Sequence, residues 1–499
     1  MSKSIPSTVK DDKAASPIRS MLDTDLYKLT MQQAVLRHYP NTHVAYKFTN
    51  RSATSMKFTR SSIHLIQTHI DSLVHLKLTP EERSWLEITC PYLRNDYLDY
   101  LEKFRFDPNS QVKVQFFPIG DTSDTHESDT HEWGDLSLSV EGIWADVIFY
   151  EVPLMAIVSE VYFSTIDTAW SLEGQYEQAM HKASQLTSHG IRYSEFGTRR
   201  RRSYQTHSIV IQGLIAGDQS TSCSSLPPST PPGKLLGTSN VHFAQQYHLV
   251  PIGTVAHEWT MAIAALTGYT HANLHALQLW DSVYSPPDFI PNSPTHDLTI
   301  ALTDTFSTNV FWADLLTNPA GIEIAKRWRG LRQDSGDSKA FARKALQAYK
   351  SIGVDPQSKV IIYSDGLNVD RCIELQAYSK QIGMGAGFGV GTSFTNDFKK
   401  LNKDGGNVTK VGEREGEEGE KSDALNIVIK LDSVEGRPVV KISDELTKNT
   451  GDPDEVIAVK RRFGIPTTSD AIKNSDGEAD VRNYIAINAT SNGSEVEDA

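Results

Sequence analysis

The spacing of apolar and polar residues in the first part of the chain predicts a mixture of helices and strands. Asp23, Thr24 and Asp25 offer N-cap side chains for a helix that runs to about His38, just before Pro40. Further segments show the alternation typical of strands or the spacing typical of helices; these are His43 to Phe48 and Val112 to Phe117 for strands, and Pro80 to Phe104 for a helical segment.

From about residue 145, strand-like apolar runs alternate with helical segments. The runs predicted as strands are Ala145 to Tyr150, His207 to Leu214, Lys359 to Tyr363 and Gly383 to Val390, and the helices among them are Asp337 to Lys350 and Val369 to Lys380. Because strands joined by helices lie parallel, this pattern predicts an α/β domain, either a barrel or a doubly wound sheet.

The pattern near the end of the chain predicts a second architecture. Two alternating segments flank Glu435-Gly436, as in an antiparallel hairpin; they are Asn426 to Val434 and Arg437 to Ser443. We therefore predict a smaller α+β domain built from both ends of the chain. The expected boundaries are 19–144 and 425–485 for this domain, 145–424 for the α/β domain with surface insertions near 219–233 and 403–423, and disordered tails at 1–18 and 486–499.

One apolar stretch has to be weighed as a membrane span. The segment from Trp259 to Trp280 contains no Asp, Glu, Lys or Arg. It does contain His271, Asn273 and His275, which are costly to place in lipid. We therefore expect a buried helix of a large core and no membrane partner.

Composition and charge narrow the class of function. The 499 residues include 49 Lys plus Arg and 62 Asp plus Glu, a formal charge of -13. This charge disfavours nucleic acid and acidic membranes as partners, because both are polyanions. The polar N-terminal stretch has no secretory signal, and three cysteines exclude a disulfide framework. We therefore expect a cytoplasmic protein that can also be nuclear. If its substrate is an anion, we expect positively charged residues to be concentrated at the binding site.

A run of four arginines, Arg199 to Arg202, follows Glu195-Phe196-Gly197-Thr198. It can be interpreted as a nuclear-localisation or nucleic-acid patch, or as an anion site. The anion site is favoured because the run is short and follows an aromatic residue and a glycine. Guanidinium groups also hold phosphates through paired contacts.

The segment GTVAHEWTM contains a single histidine, His257. A zinc-protease motif would need a second histidine four residues later, where Met261 stands, so that class is excluded. A lone histidine is commonly structural. Here, however, Thr254 precedes it and a charge-free helix follows, and a helix N-terminus with Thr and His suits an anionic group.

Two acidic segments further along offer candidate ligand contacts. LRQDSGD brings Arg332, Asp334 and Asp337 together at the predicted start of a helix, as either a capped helix with a surface salt bridge or a binding cluster. Asp365-Gly366 ends a buried strand. Ligands of α/β folds bind at the carboxyl ends of strands, so Asp365 is expected to contact a ribose hydroxyl.

Glycine stands at every second position from Gly383 to Gly391, followed by Thr392-Ser393. The run does not match the dinucleotide-binding pattern G-x-G-x-x-G, because the last glycine is missing. Alternate residues of a strand share one face, so this face lacks side chains and another group must approach the backbone. That group is a packed helix or, as the Thr-Ser ending favours, a phosphate.

Taken together, these segments make the chain resemble the nicotinate phosphoribosyltransferases of the eukaryotic, fungal type. The resemblance runs from about Ser20 to Asp444 and rests on LDTDLYKLTM, EFGTRR, GTVAHEW, LRQDSGD, IIYSDGLN and GVGTSF in this order. It implies an irregular α/β barrel of the type II phosphoribosyltransferase class, packed against an α+β domain. It also implies a homodimer with active sites near the subunit interface.

The resemblance implies a reaction as well. Nicotinate and 5-phosphoribosyl 1-diphosphate would form nicotinate mononucleotide and pyrophosphate, with coupled ATP hydrolysis and Mg²⁺ as cofactor. This would be the first step from nicotinate to NAD.

Roles for individual residues follow from the same resemblance. His257 would be phosphorylated, with Arg332 and Asp334 as further catalytic residues. Arg332 would share the pyrophosphate or the nicotinate carboxylate with Arg199. The expected substrate-binding residues are Tyr27 from the partner subunit and Phe196 around the pyridine ring, Arg199, Thr254 at nicotinate, Asp365 and Gly366, and Gly389, Gly391 and Thr392 at the 5-phosphate. Asp334 and Asp365 would orient the base or the ribose hydroxyls.

Several alternatives stay open at this point. Arg199 is preferred over Arg200 as the ligand-facing arginine by its spacing of three from Phe196, and no metal ligands are specified. A nicotinamide phosphoribosyltransferase would favour a carboxylate at the base-binding edge. A non-enzymatic protein on a degenerate barrel is the other alternative, and the presence of His257 and Asp365 argues against it.

Overall fold

The computed structural model of the chain describes residues 16–119, 132–220, 233–285, 294–401, 420–444 and 449–467. The expected C-terminal tail, most of both insertions and residues 1–15 of the expected N-terminal tail lie outside these ranges. The N-terminal boundary differs from the prediction, because Pro17 and Ile18 are already buried. Apolar burial therefore begins before the expected end of the tail.

The elements follow in a mixed order along the chain. The helices are α1 Leu26–His38, α2 Arg60–Asp71, α3 Pro80–Thr89, α4 Asn95–Lys103, α5 Pro108–Gln111, α6 Trp144–Val147, α7 Glu151–Thr165, α8 Gln175–Ser188, α9 Tyr204–Ser220, α10 Val241–Gln246, α11 His257–Thr267, α12 Ala272–Tyr284, α13 Thr308–Thr317, α14 Pro319–Arg327, α15 Ser338–Ser351, α16 Val369–Ile382, α17 Thr392–Thr395 and α18 Pro453–Arg462. The strands are β1 His43–Asn50, β2 Phe58–Thr59, β3 Val112–Pro118, β4 Trp133–Ile143, β5 Arg192–Glu195, β6 Lys234–Thr238, β7 Ile300–Leu302, β8 Gly330–Gln333, β9 Val360–Tyr363, β10 Gly385–Val390, β11 Phe398–Lys399, β12 Lys421–Ser422, β13 Ile427–Val434 and β14 Arg437–Pro438.

Six strands form the parallel sheet of the α/β barrel, in the order β6-β5-β10-β9-β8-β7. In the part of the chain that the structure describes, no ladder joins β6 to β7, so the barrel is irregular. The predicted fold class is confirmed. Because all six strands run in one direction, their carboxyl ends share one edge, where ligands of such folds bind.

The second sheet is antiparallel and combines both ends of the chain. Its order is β14-β13-β1-β4-β2, with β3 also paired to β4. The predicted hairpin around Glu435-Gly436 is present, although its second strand is only the two residues of β14. Strand β13 pairs with β1 along Val44 to Asn50, so the C-terminal part of the sequence completes a sheet begun near the N-terminus.

The C-terminal helix α18 packs against elements of the barrel. Buried side chains of α18 and the residues after it, Val459, Phe463 and Ile465, share a cluster with Phe306 and Val310 of the barrel. The same cluster also contains Val440 and Ile442 of the expected α+β segment, so this helix packs where the two domains meet, and the boundary at 485 stays a prediction.

Two predicted strands are helical. Ala145 to Tyr150 lies in α6 and a 3-10 turn before α7, and His207 to Leu214 lies inside α9. Both segments are largely buried. A continuous apolar run does not distinguish a buried helix from a buried strand, which explains both errors.

The charge-free stretch from Trp259 to Trp280 forms parts of two helices, α11 and α12, separated near Gly268. By length and composition alone, one helical segment of the described residues could cross a membrane: Trp144–Thr165, whose apolar window is 89% buried inside the protein. Burial of this kind is typical of a core helix.

Three further predictions about local structure agree with the structure in part. The segment Pro80 to Phe104 forms two helices, α3 and α4. Asp25 occupies the N-cap of α1, but its side chain makes no capping hydrogen bond and instead accepts one from Ser239. Arg332 lies in β8, not at a helix start, whereas Asp337 caps α15 as its sequence position suggests.

Candidate active site

The predicted site residues follow the carboxyl ends of the parallel strands. Phe196 follows β5, Asp334 follows β8, Asp365 lies two residues beyond β9, and Gly391 follows β10. His257 is the first residue of α11 and meets this edge from the side. The shared edge explains why residues scattered over almost 200 positions lie near one another.

His257 lies in a polar cluster. Its Nδ1 is 3.0 Å from Thr305 Oγ1, and its Nε2 is 2.9 Å from the ammonium of Lys441. Two carboxylates, Asp334 at 3.3 Å and Asp304 at 3.6 Å, also face Nε2. Burial and then the Lys441 charge lower the pKa of His257, although the two aspartates oppose them. The neutral imidazole is therefore favoured, with the proton on Nδ1 and the Nε2 lone pair towards Lys441.

Arg332 and Asp334 form the adjoining part of the cluster. An Nη2 of Arg332 donates to Asp334 Oδ1 over 2.9 Å, and its Nε donates to Ser364 Oγ over 2.9 Å. The Ser364 hydroxyl donates in turn to Asp334. Burial alone would raise the pKa of Asp334, but Arg332 and His257 hold it well below its ordinary value. Asp334 is therefore ionised, held by the Arg332 donor on one side and lying beside the His257 ring on the other.

Arg199 lies beside Tyr27 and two acidic residues. Its Nη1 donates to Glu151 over 3.1 Å, its Nε is 3.6 Å from Asp25, and its guanidinium carbon is 5.6 Å from the centre of the Tyr27 ring. The Arg199 side chain is 39% exposed, so part of the guanidinium can still meet a ligand. Tyr27 reaches this position within its own chain. The arrangement does not require a partner's Tyr27, and that contribution stays a prediction.

The four arginines separate into two pairs. Arg200 donates to the carbonyl of Leu425, and burial together with the neighbouring Arg199 lowers its pKa to about 10. Arg201 makes a fully buried, two-pronged ion pair with Asp23. Arg202 is sandwiched between aromatic rings and bonds to Asn396 and Ser422. The expectation of an anion site is therefore wrong for Arg201 and Arg202, because their guanidinium groups are used inside the protein.

The glycine-lined face of β10 receives an aromatic ring. A Cβ added to Gly389 would lie 2.5 Å from the ring of Phe196, and one added to Gly391 would lie 3.0 Å from the Phe196 carbonyl oxygen. The ring of Phe196 is thus one close neighbour of Gly389, and the contact of Gly389 with a phosphate stays a prediction. Gly391 and Thr392 follow at the strand end, and their contact with a phosphate stays a prediction.

The remaining predicted residues lie around this edge without touching His257. The carbonyl of Thr254 accepts a hydrogen bond from Thr30 Oγ1 over 3.3 Å. Asp365 and Gly366 are exposed beyond β9, where Gly366 has a φ of +59°. Glycine is the residue that adopts this conformation readily, which allows a tight turn next to Asp365.

Sequence reasoning missed Asp304, Thr305, Lys441 and Glu151. Asp304 could have been found, because it follows the buried strand Ile300–Leu302 just as Asp365 follows β9. Its Oδ2 accepts from Ser335 over 2.7 Å and from Lys441 over 2.9 Å. Lys441 gives no such local signal, since it is 184 positions from His257 and reaches it only through the tertiary fold.

Comparisons with known proteins agree with this arrangement. The model of the nicotinate phosphoribosyltransferase (NAPRTase) family matches residues 191–467, and that of its N-terminal domain matches residues 22–159. A Schizosaccharomyces pombe protein described as a probable nicotinate phosphoribosyltransferase is 44% identical over 448 residues, covering 90% of this chain and 98% of the relative. A nicotinate phosphoribosyltransferase of Saccharomyces cerevisiae is 38% identical over 449 residues, covering 90% and 95%.

Solved structures that resemble this chain are also nicotinate phosphoribosyltransferases. A crystal structure of nicotinate phosphoribosyltransferase from Porphyromonas gingivalis is similar with a TM-score of 0.72 and 32% identity, covering 90% of this chain and 100% of that one. A structure from Vibrio cholerae described by the same activity has a TM-score of 0.73 and 32% identity, covering 91% and 96%.

The parallel barrel, the antiparallel domain from both chain ends and the charged residues at the strand ends define a phosphoribosyltransferase of type II. Both family models and the relatives then identify the group within that class. The chain belongs to the nicotinate phosphoribosyltransferase (NAPRTase) family.

Proposed function

We propose that the protein joins nicotinate to 5-phosphoribosyl 1-diphosphate, forming nicotinate mononucleotide and pyrophosphate, and hydrolyses ATP in the same cycle through a phosphohistidine. The observation that carries the proposal is the cluster of His257, Asp334 and Arg332 at the carboxyl ends of β7 to β9. Family membership supports the transferase activity, and the donor set around His257 supports the histidine's role.

Transfer of the ribosyl group needs positioning and charge stabilisation. As pyrophosphate leaves, C1 of the ribose becomes oxocarbenium-like and the pyridine nitrogen attacks it. Arg332 and the exposed part of Arg199 would grip the departing pyrophosphate or the nicotinate carboxylate at two points each. Tyr27 and Phe196 would contact the pyridine ring, with Thr254 at its edge. Fixing both reactants removes most of the entropy cost of their encounter.

His257 has the geometry of a nucleophile. Thr305 accepts from Nδ1–H, so Nε2 carries the lone pair, and the lowered pKa keeps the ring neutral. In the proposed step, the Nε2–phosphorus bond forms while the bond from the γ-phosphorus to the ADP oxygen breaks. The ammonium of Lys441, already 2.9 Å from Nε2, would pair with the new phosphoryl group.

The residues around His257 also fit a magnesium ion. Ligand atoms of His257, Asp304 and Asp334 all lie within 4.8 Å of one another. Carboxylate oxygens are the protein ligands that Mg²⁺ prefers, so Asp304 and Asp334 are the residues that would hold it. When bound, the ion would neutralise phosphate oxygens of the substrate. A homodimer and a cytoplasmic location belong to the same proposal. The homodimer rests on the resemblance, and the location rests on the polar N-terminal stretch and the few cysteines.

A substrate panel tests the proposed function. Purified full-length protein is incubated with 5-phosphoribosyl 1-diphosphate and nicotinate, nicotinamide or quinolinate, with and without ATP, and the product mononucleotide is measured. We expect product from nicotinate, in higher yield with ATP. Product from nicotinamide instead would select the related amide enzyme, and no product from any base would favour a non-enzymatic role.

A labelling experiment tests the phosphohistidine separately. ATP labelled at the γ-phosphate should leave an acid-labile label on the wild type and none on the variant His257→Ala, because that variant lacks the nucleophilic nitrogen. Lys182→Ala, which changes another partly buried cation away from His257, serves as the control and should keep the label. Label that survives in His257→Ala would remove the assignment.

A further inference from the structure

A buried lysine lies between the two ends of the site. Lys28 follows Tyr27 in α1, and its side chain has no exposed surface. Its ammonium is 2.6 Å from Glu151 Oε2 and 2.7 Å from Glu258 Oε2. Since no ligand can touch an ammonium enclosed in this way, Lys28 influences the site through its neighbours, which are these two carboxylates and the Tyr27 ring, whose centre is 5.5 Å from the ammonium.

Each carboxylate leads to a different end of the site. Glu151 is the first residue of α7, and its Oε1 accepts from Arg199 while Tyr27 donates to Oε2 over 3.2 Å. Glu258 is the residue after His257 in the first turn of α11. The result is a continuous set of contacts from Arg199 through Glu151, Lys28 and Glu258 to the helix start that carries His257.

Glu258 is held firmly on its other side. Its Oε1 accepts hydrogen bonds from Tyr46 over 2.5 Å and from the indole of Trp144 over 2.8 Å. These donors belong to the antiparallel sheet and to α6, so Glu258 is anchored independently of Lys28. A shift of Lys28 therefore changes the charge pairing of Glu258, which stands next to His257 in the first turn of α11, while the contacts of Glu258 with Tyr46 and Trp144 are kept.

The contacts in this set are interdependent, because Glu151 pairs with both cations. The buried Lys28 and the partly exposed Arg199 face the buried carboxylates Glu151 and Glu258, and Asp25 also lies 3.6 Å from Arg199. A ligand anion that draws Arg199 away deprives Glu151 of one partner, and a buried carboxylate that loses a partner strengthens its hold on the next. Lys28 then shifts towards Glu151 and away from Glu258.

We propose that Lys28 is a positioning residue that couples occupancy of the Arg199 end of the site to the setting of His257, through Glu151 and Glu258. The inference rests on the proposed function and specifies how its two half-reactions communicate. Because coupling free energies are reciprocal, phosphorylation at His257 favours the ligand at Arg199 to the same extent.

The variant Glu258→Gln tests this coupling. Its amide oxygen can take the place of Oε1 and keep the acceptor for Tyr46 and Trp144, while its amide nitrogen faces Lys28 and ends the ion pair. The measured quantity is the ratio of kcat/KM for nicotinate with ATP to that without ATP. We expect this ratio to fall by about fivefold or more, the scale of typical coupling between sites. The γ-label on His257 should still form.

Asp314→Asn is the matched control. Asp314 is a buried carboxylate of α13 that accepts from Asn273, outside the Lys28 contacts. This variant should keep the wild-type ratio. Glu151→Gln enters the same contacts from the Arg199 side, so it provides the test if Glu258→Gln does not fold.

The outcomes separate the two proposals. The role of Lys28 would be overturned if Glu258→Gln or Glu151→Gln folds, still takes the γ-label and keeps the wild-type ratio of kcat/KM with and without ATP. The proposed function would then remain intact. If Asp314→Asn lowers the ratio of kcat/KM with and without ATP by the same factor, general destabilisation explains the effect, and the role proposed for Lys28 is overturned. Failure of the proposed function is recognised in the wild type itself, as absence of product or of any ATP effect.

Discussion

At the scale of single residues, two residues of the same type have different roles when their surroundings differ. Arg199 keeps part of its guanidinium exposed beside Tyr27, whereas Arg201, two residues later, is fully buried against Asp23. The same holds for the aspartates. Asp334 lies between Arg332 and His257, while Asp337 only caps a helix. Whether an arginine or an aspartate can meet a ligand therefore depends on whether its side chain faces the carboxyl ends of the strands.

The variant Arg332→Ala should lose most of its catalytic activity and keep its fold. The loss of a positioned cation that faces developing charge typically lowers kcat by about 10²–10³-fold. Arg329→Ala is the matched control, since Arg329 precedes the same strand at its opposite end and pairs with Asp297 on the surface. Steady-state kinetics and thermal melting of both variants check this. Near-normal turnover of Arg332→Ala would contradict the assigned role.

At the scale of elements, two neighbouring strands build the aromatic wall of the site. Strands β5 and β10 are paired, with Gly389 opposite Ser194, and the turn after β5 carries Phe196. The Glu195 side chain closes this turn by accepting from the Gly197 amide and from Thr238. Because Gly389 has no side chain, the Phe196 ring can lie against the strand. The glycine at position 389 is therefore required by the packing of Phe196.

The variant Gly389→Ala should weaken nicotinate use. Its Cβ would lie 2.5 Å from the Phe196 ring, so the ring must move from its position at the site. We expect kcat/KM for nicotinate to fall by about tenfold or more, since small misplacements of positioning groups have effects of this size. Kinetics with varied nicotinate measure the change.

Gly387→Ala, on the same strand, serves as the control for Gly389→Ala. The Cβ of this variant lies 2.8 Å from the flexible end of Ile362 and touches Val360 at an ordinary contact distance of 4.0 Å. It should retain most of the activity. Equal losses in the two variants would show that any added methyl on β10 disturbs the strand, and the role given to Phe196 would fail.

At the scale of the whole molecule, the N-terminal segment is locked onto the barrel. Asp23 accepts from both Arg201 and Asn240, and Arg201 also donates to the carbonyl of Pro17. These contacts hold the start of α1, and with it Tyr27 and Lys28, against the strand ends. The N-terminal segment thus carries Tyr27 and Lys28 of the candidate site, and these contacts fix its place on the barrel.

The variant Asp23→Asn should destabilise the protein strongly at neutral pH. Breaking a buried ion pair on one side costs about 3–5 kcal/mol. Burial alone would raise the pKa of Asp23, but Arg201 lowers it below the ordinary value. The pair therefore contributes fully above about pH 4, the unfolded pKa, and its contribution is lost as the pH falls through the folded value.

Thermal melting between pH 7 and pH 3 measures this effect. The difference in Tm between wild type and Asp23→Asn should be large at pH 7 and should narrow below about pH 4. Asp96→Asn removes an exposed ion pair with Arg94 and should change the Tm little at any pH. A Tm difference for Asp23→Asn that is independent of pH would contradict the ionic explanation.

The sequence by itself determined the fold class, the hairpin and most residues around the strand ends. Those signals are local: the short apolar run Val360–Tyr363, glycine at every second position of β10, and acidic residues soon after buried strands. Local patterns failed at Ala145 to Tyr150 and His207 to Leu214, where a continuous apolar run fits a helix as well as a strand.

Only the tertiary structure decided how distant residues share the site. Lys441 reaches His257 across 184 positions, and Lys28 reaches Glu258 across 230. It also decided that Arg199 faces the site while Arg201 and Arg202 are used internally. The physical reason is that burial, charge pairing and the free nitrogen of an imidazole depend on what packs against a side chain, and two sheets from different parts of the chain supply that packing.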